Sequence, residues 1–190
     1  MMRIITGTAR GTKLATLEGE ATRPTTERVK EAIFSMIQFD VPDSWFLDLF
    51  AGSGQMGLEA LSRGAEKAHL IDKSPEAAAI IKQNAQKTHL WDRCRVLNMD
   101  WAEYLRSARG QYKFDFVFVD PPYGSGLLHD ALDKLADSDL LADNAWIIAE
   151  DEKEDIFDGD EALAAKYEIV KSSRYSRVHI VVLTRRKEEA

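Results

Sequence analysis

The chain has a single cysteine among its 190 residues. Cys94 can close no disulfide within the chain, and a reducing cytoplasm is the expected compartment. Histidine is scarce too. His69, His89, His129 and His179 are dispersed, and no His/Cys spacing suggests a metal site. No run approaches the ~20 apolar residues of a membrane span. The opening MMRIITGTARGTK lacks the apolar core of a signal peptide. There is no internal repeat and no low-complexity linker. What is present is 45% hydrophobic and 30% charged residues, enough for a substantial core in a soluble protein. The expected organisation is a short appendage over residues 1–40 followed by a main domain over 41–190.

Negative charge dominates at −7, but unevenly. Residues 1–17 hold Arg3, Arg10 and Lys13 and no acid. The stretch EDEKEDIFDGDE (150–161) holds eight acids and one lysine. Lys171, Arg174, Arg177, Arg185, Arg186 and Lys187 gather near the C-terminus. Such asymmetry suits a polyanion binder with a basic face, and equally an unevenly charged solvated surface.

From residue 45 strand-like and helix-like segments alternate. WFLDLF (45–50), KAHLID (67–72), RCRVLNMD (93–100), FDFVFVD (114–120) and AWIIAED (145–151) read as strands. QMGLEALSRG (55–64), SPEAAAIIKQNAQKT (74–88), WAEYLRSA (101–108) and LLHDALDKLADSDLL (127–141) read as helices. Ser74 is placed to cap the second of these, with Pro75 at its first position. Alternation predicts a doubly wound α/β fold with a mostly parallel sheet. YEIVKSSRYSRVHIVVLTRR (167–186) reads instead as an antiparallel C-terminal hairpin. At the other end, RIITGTARGTKLAT reads as a short glycine-rich β-hairpin. TTERVKEAIFSMI then reads as an amphipathic helix with Val29, Ile33, Met36 and Ile37 on one face.

DLFAGSGQMG sets Gly52, Gly54 and Gly57 in G-x-G-x-x-G spacing between a strand and a helix, and Asp72 ends the next strand. Glycines let a backbone approach a ligand, and the acid accepts hydrogen bonds from ribose hydroxyls. The ligand class follows from charge. Asp48 lies just ahead of the loop, where an acid repels a pyrophosphate and attracts an ammonium. Asp48, Asp72, Asp100 and Asp120 end successive strands and suit a cationic nucleoside such as S-adenosylmethionine.

FVFVDPPYG (116–124) ends a buried strand in an acid, two prolines and an aromatic. Proline holds the residue before it extended, so Asp120-Pro121-Pro122 forms a rigid rim. The Asp120 carboxylate and Pro121 carbonyl can accept both N–H groups of a planar exocyclic amine. Tyr123 can stack on a flat ring, and Gly124 leaves the approach open. Cys94, early in its strand and away from this rim, reads as a small core residue. That disfavours carbon-5 cytosine chemistry. His69 and His179, in apolar strands, are expected to pack there.

DLFAGSG followed by DPPY resembles the class I S-adenosylmethionine-dependent amino-methyltransferases. RIITGTARGTKL, RPTTERVKEAIF and DLFAGSGQMGLEALSRGA together resemble the bacterial RsmD family, which methylates N2 of guanine 966 in 16S ribosomal RNA. The resemblance implies a seven-stranded sheet and an S-adenosylmethionine site at Asp48, Phe50, Gly52, Gly54, Asp72, Lys73, Asp100 and Asp120. It places Asp100 near the adenine amine and Arg23–Thr26, with Arg23 and Thr25 as contacts, over the cofactor. It implies catalysis at Asp120, Pro121, Pro122 and Tyr123, without a metal or a covalent enzyme intermediate. It further implies RNA contacts from Arg3, Arg10 and Lys13. The implied partner is 16S rRNA in the small ribosomal subunit or an assembly intermediate, met by a monomer. Rival readings are an amino-methyltransferase for adenine N6 or a protein amide, a nicotinamide-dependent oxidoreductase, and a non-catalytic ribosome-assembly factor.

Overall fold

The computed structural model describes residues 2–17 and 27–186. Seven strands form one sheet in the order β3-β2-β1-β4-β5-β7-β6. The strands are β1 (Trp45–Asp48), β2 (Lys67–Asp72), β3 (Cys94–Asn98), β4 (Phe114–Val119), β5 (Leu141–Asp151), β6 (Tyr167–Tyr175) and β7 (Val178–Arg185). The helices are α1 (Glu27–Ile37), α2 (Gln55–Ser62), α3 (Pro75–Lys87), α4 (Trp101–Ser107), α5 (Leu127–Ala136) and α6 (Glu161–Ala165). The doubly wound, mostly parallel α/β fold with an antiparallel C-terminal hairpin is the one expected. Among the described residues no helix is long and apolar enough to cross a membrane.

The chain divides into two compact units, Met1–Trp101 and Ala102–Ala190. In the first, β1, β2 and β3 pair in parallel. β1 and β2 are buried almost throughout, as strands covered on both faces must be. Ser74 caps α3, accepting the Ala77 N–H at 3.2 Å, with Pro75 following. α1 buries Val29, Ile33 and Ile37 as its period requires, but also Phe34 and Lys30, while Met36 is half-buried. The expected N-terminal hairpin is reduced to one antiparallel bridge, Arg3 to Lys13. Gly7 (φ +84°) and Gly11 (φ +83°) turn the segment out of extension. Its arms stay joined by the Ile4 N–H to Thr12, Gly11 N–H to Ile4 and Leu14 N–H to Met2 bonds, while the N–H groups of Ile5, Thr6, Thr8 and Ala9 turn to α2.

In the second unit β4 pairs with β5 in parallel, and β7 runs antiparallel to both β5 and β6. α5 is shorter than its sequence pattern suggests. It stops at Ala136 because Ser138 turns back, donating from its hydroxyl to the Leu135 carbonyl at 2.9 Å. Leu141 thereby opens an 11-residue β5. The acidic run 150–161 builds turns. Asp155 accepts the N–H groups of Phe157 at 3.0 Å and Gly159 at 2.8 Å. Asp160 caps α6, a helix the sequence pattern did not suggest, by accepting the Leu163 N–H at 2.9 Å. That bond, with His129 at 3.0 Å, holds the Asp160 carboxyl below its ordinary range.

Candidate active site

In the first unit the acids at the strand ends step along the sheet. Asp48 pairs in register with Leu70, two residues before Asp72. Asp72 pairs with Asn98, two residues before Asp100. Each step of two residues is about 6.6 Å along the strand direction. Asp48 is buried and accepts the Phe50 N–H at 3.3 Å. Asp100 is exposed, as is Lys73. Phe50 lies 6.0 Å from the buried ring of Trp101, so an aromatic wall stands beside Asp100.

The glycine loop is tight and pinned. Gly52 and Gly54 sit at φ +51° and +79°, and the Gly54 N–H closes the turn on the Ala51 carbonyl at 2.6 Å. Gly57 has a packing role, since a Cβ there would lie 2.1 Å from Leu70 Cδ2. Asp72 braces the loop from the next strand. Oδ2 accepts the Gly52 N–H at 2.9 Å, and Oδ1 accepts the Ser74 N–H at 2.8 Å. A carboxylate has about four acceptor sites, so this bracing leaves capacity for hydroxyl donors of a ligand. The sequence reading saw in Asp72 only a ligand contact; here it also shapes the loop.

A polar network behind the loop went unread in the sequence. Glu59, on α2 and wholly buried, accepts the N–H of Ile5 at 2.8 Å and of Thr6 at 3.0 Å. The same carboxylate takes Arg63 Nε at 2.8 Å and lies 3.3 Å from Lys30 Nζ. Lys30, also buried, donates to the Arg3 carbonyl at 2.6 Å. Burial lowers the Lys30 pKa, and Glu59 opposes that shift. Ser62 accepts the Ala9 N–H at 3.0 Å and donates to the Thr6 carbonyl at 2.6 Å. From α3, buried Asn84 takes the Ala15 N–H at 2.8 Å and donates to the carbonyls of Ala15 and Ser53, both at 2.9 Å. Ser53 belongs to the glycine loop, so one amide ties the loop to the N-terminal segment. The only sequence signal was a lone acid, lysine or amide inside an otherwise apolar helix face.

The candidate RNA residues diverge. Arg10 and Lys13 are exposed. Arg3 is engaged with Glu27, its Nε and Nη2 each 3.0 Å from a carboxylate oxygen. Arg23 and Thr25 lie outside the described residues. Cys94 is buried, and burial pushes its thiol pKa up to about 12, which leaves no thiolate for nucleophilic work. His69 and His179 are buried in their strands as expected.

In the second unit the rim follows β4 directly. Asp120 and Tyr123 are half-buried, Pro121 is buried and Pro122 is exposed. Gly124 (φ +69°) and Gly126 (φ +76°) turn the chain into α5. Ser125 Oγ donates to the Pro122 carbonyl at 2.5 Å, locking the turn. The Tyr123 hydroxyl donates to Glu150 Oε1 at 2.8 Å. Glu150 is only 2% exposed, follows the buried Ile147-Ile148-Ala149 of β5, and was not foreseen. A cavity of about 190 Å³ opens here, lined by Pro121, Tyr123, Gly126, Glu150, Asp151 and Lys153 among others. Among the described residues no group of three or more His, Cys, Asp or Glu is placed to hold a metal ion.

A glycine loop braced by an acid and a proline-stiffened acidic rim, on a sheet of this order, mark a Rossmann-like methyltransferase. The family model for conserved hypothetical protein 95 matches residues 2–184. The chain is 38% identical to the ribosomal RNA small subunit methyltransferase D of Haemophilus influenzae over 154 residues, 80% of each chain. A solved methyltransferase structure from Escherichia coli superposes with a TM-score of 0.82 at 33% identity, covering 97% of each chain. A methyltransferase complexed with SAH shares the fold at 14% identity, with a TM-score of 0.65 over 79% of this chain and 48% of that one. This protein belongs to the ribosomal RNA small subunit methyltransferase D family.

Proposed function

We propose that this protein transfers a methyl group from S-adenosylmethionine to the exocyclic N2 of a guanine in 16S ribosomal RNA, guanine 966 by family resemblance. The observation that carries the reading is the Asp120–Tyr123 rim, a fixed acceptor pair with its aromatic plate anchored on Glu150. The substrate is the small ribosomal subunit or an assembly intermediate, and the setting is the cytoplasm.

The residues of the first unit fit the donor. Positive-φ glycines give a close approach, and Asp72 holds acceptor capacity for ribose hydroxyls. Asp48 supplies negative charge for an ammonium or a sulfonium, which a pyrophosphate would not tolerate. Phe50, Lys73 and Asp100 border the adenosine end, and Arg23 and Thr25 complete the proposed set. When bound, S-adenosylmethionine supplies an electrophilic methyl on a positively charged sulfur.

The remaining work is positional. Asp120 and the Pro121 carbonyl accept the two N–H groups of the amine, orient its lone pair and favour the positive charge that builds on nitrogen. Pro121 and Pro122 keep those acceptors from relaxing. Tyr123 stacks on the base, an interaction worth on the order of 1–3 kcal/mol. Holding nucleophile and methyl in line accounts for much of the acceleration. Arg10 and Lys13, with Arg3 steered by Glu27, meet RNA phosphates.

The test is incubation with labelled S-adenosylmethionine and 30S particles, free 16S RNA, DNA or protein, followed by digestion to nucleosides. Label in N2-methylguanosine from the particle or RNA is expected. Label in N6-methyladenosine or in protein, or cofactor binding with no transfer at all, would overturn the reading.

A further inference from the structure

Glu150 belongs to neither motif. It lies on β5 one residue past Ala149, and Ala149 is the register partner of Val119, the residue before Asp120. Asp120, just past the end of β4, and Glu150, the penultimate residue of β5, therefore follow a register pair on strands spaced about 4.8 Å apart. Glu150 lines the cavity together with Pro121 and Tyr123, and Asp120 directly precedes Pro121 in the chain. Burying a carboxylate among apolar residues is costly unless hydrogen bonds offset the desolvation. The Tyr123 hydroxyl supplies one such bond, at 2.8 Å, to Oε1. A carboxylate offers about four acceptor sites, so that bond does not exhaust it.

We infer that Glu150 is a specificity-determining residue that accepts the N1–H of the target guanine while Asp120 accepts its N2 amine. The inference rests on the guanine-N2 reading above. Guanine offers adjacent donors, N1–H and N2–H, on one edge, and acids following one register pair of neighbouring strands match that edge. Adenine presents an unprotonated N1, a lone pair that would face the Glu150 carboxylate and be repelled. A site built to accept a donor rejects an analogue lacking it far more strongly than it rejects a change in apolar bulk. Asp151, Asp155 and Asp158 outnumber the cavity's lysine, Lys153, which is already paired with Asp158 at 2.7 Å, so the lining is poorly suited to a phosphate and compatible with a donor-rich base edge. Tyr123 then has two duties, stacking on the base and holding Glu150 in place.

The experiment uses small-subunit particles assembled with 16S RNA carrying either guanine or 2,6-diaminopurine at the modified position. Diaminopurine keeps the N2 amine and lacks N1–H. The wild-type enzyme should favour guanine by at least about tenfold in kcat/KM, the size of one charged hydrogen bond. Glu150→Gln can turn either an oxygen or an N–H toward the base, and should narrow the preference to within about threefold. Tyr123→Phe keeps the stacking ring but releases Glu150, and should weaken the preference for guanine. Equal wild-type efficiency on the two RNAs overturns the inference. So does an unchanged preference in a folded Glu150→Gln enzyme, which would leave Glu150 as a support for Tyr123 alone. If Glu150→Gln does not fold, the wild-type comparison still decides. Label on a nucleoside other than the target purine defeats the guanine-N2 reading itself, a separate result.

Discussion

Glu59 is the strongest structural test the chain offers. Its carboxylate is wholly buried and holds two backbone N–H groups, Arg63 and Lys30, all within 3.3 Å. Glu59→Gln removes the charge and turns an amide toward donors. Breaking a buried pair by neutralising one partner costs about 3–5 kcal/mol, because the other charge stays buried. Against a domain stability of roughly 5–15 kcal/mol that is a large share. For a chain of this length it corresponds to roughly 6–20 °C in Tm. Lys30 loses the partner that opposes its burial, so its pKa falls further. Removing both charges, as Lys30→Met with Glu59→Gln, should recover part of the loss, and a double-mutant cycle isolates the coupling. Urea unfolding of the four proteins measures the energies, and hydrogen exchange at Ile5 and Thr6 localises them. A loss below about 1 kcal/mol in Glu59→Gln, or strict additivity in the cycle, refutes the claim that this pair anchors the N-terminal segment.

Asp72→Ala frees the Gly52 and Ser74 N–H groups and removes the proposed ribose acceptor; titration calorimetry should show S-adenosylmethionine binding at least about tenfold weaker, and unchanged affinity refutes both roles. Gly57→Ala gains up to about 1 kcal/mol of helix propensity but drives a methyl into Leu70. Overpacking costs about 1–3 kcal/mol, so a net lower urea midpoint is expected, with Leu70→Val restoring it. Burial, with Arg95 and Lys67 nearby, lowers the His69 pKa to about 4. The unfolded chain binds the extra proton below about 6.5 and the folded one only near 4, so stability falls as pH drops through that window, by up to about 3 kcal/mol. His69→Gln should flatten that dependence between pH 6.5 and 4 in urea titrations, and an unaltered slope counts against it.

The fold was legible because it rests on periodicity and punctuation. Strands β1, β2 and β4 are short, mostly apolar segments buried almost throughout, and Ser74-Pro75 announces α3 in two letters. The candidate site could be marked for the same reason, since Gly52, Gly54, Asp72 and Asp120–Tyr123 are local patterns beside strand ends. The failures share a different cause. The helix expected to reach residue 141 stops at Ala136 through a serine turn that propensity does not weigh. The N-terminal hairpin is present, as expected, but short, and what the sequence did not indicate is that the donors of Ile5 and Ala9 find Glu59 and Ser62 more than 50 residues away.

Acids at strand ends show how far a shared pattern can hide unlike physics. Four aspartates read alike in the sequence, as a negative rim for a cationic ligand. In the folded chain Asp48 is buried and turned partly to its own loop, Asp72 braces two backbone donors, and Asp100 is exposed. Asp120 has a neighbour the pattern never indicated, because Glu150 sits inside β5 where an alternation of apolar residues reads as core. Position along a strand is a local property, and the partner across the sheet is a matter of register. A carboxylate whose role depends on the adjacent strand becomes visible only once Val119 is known to face Ala149. If Glu150 reads the base as proposed, substitutions that shift the β4–β5 register should disturb base choice before they disturb cofactor binding.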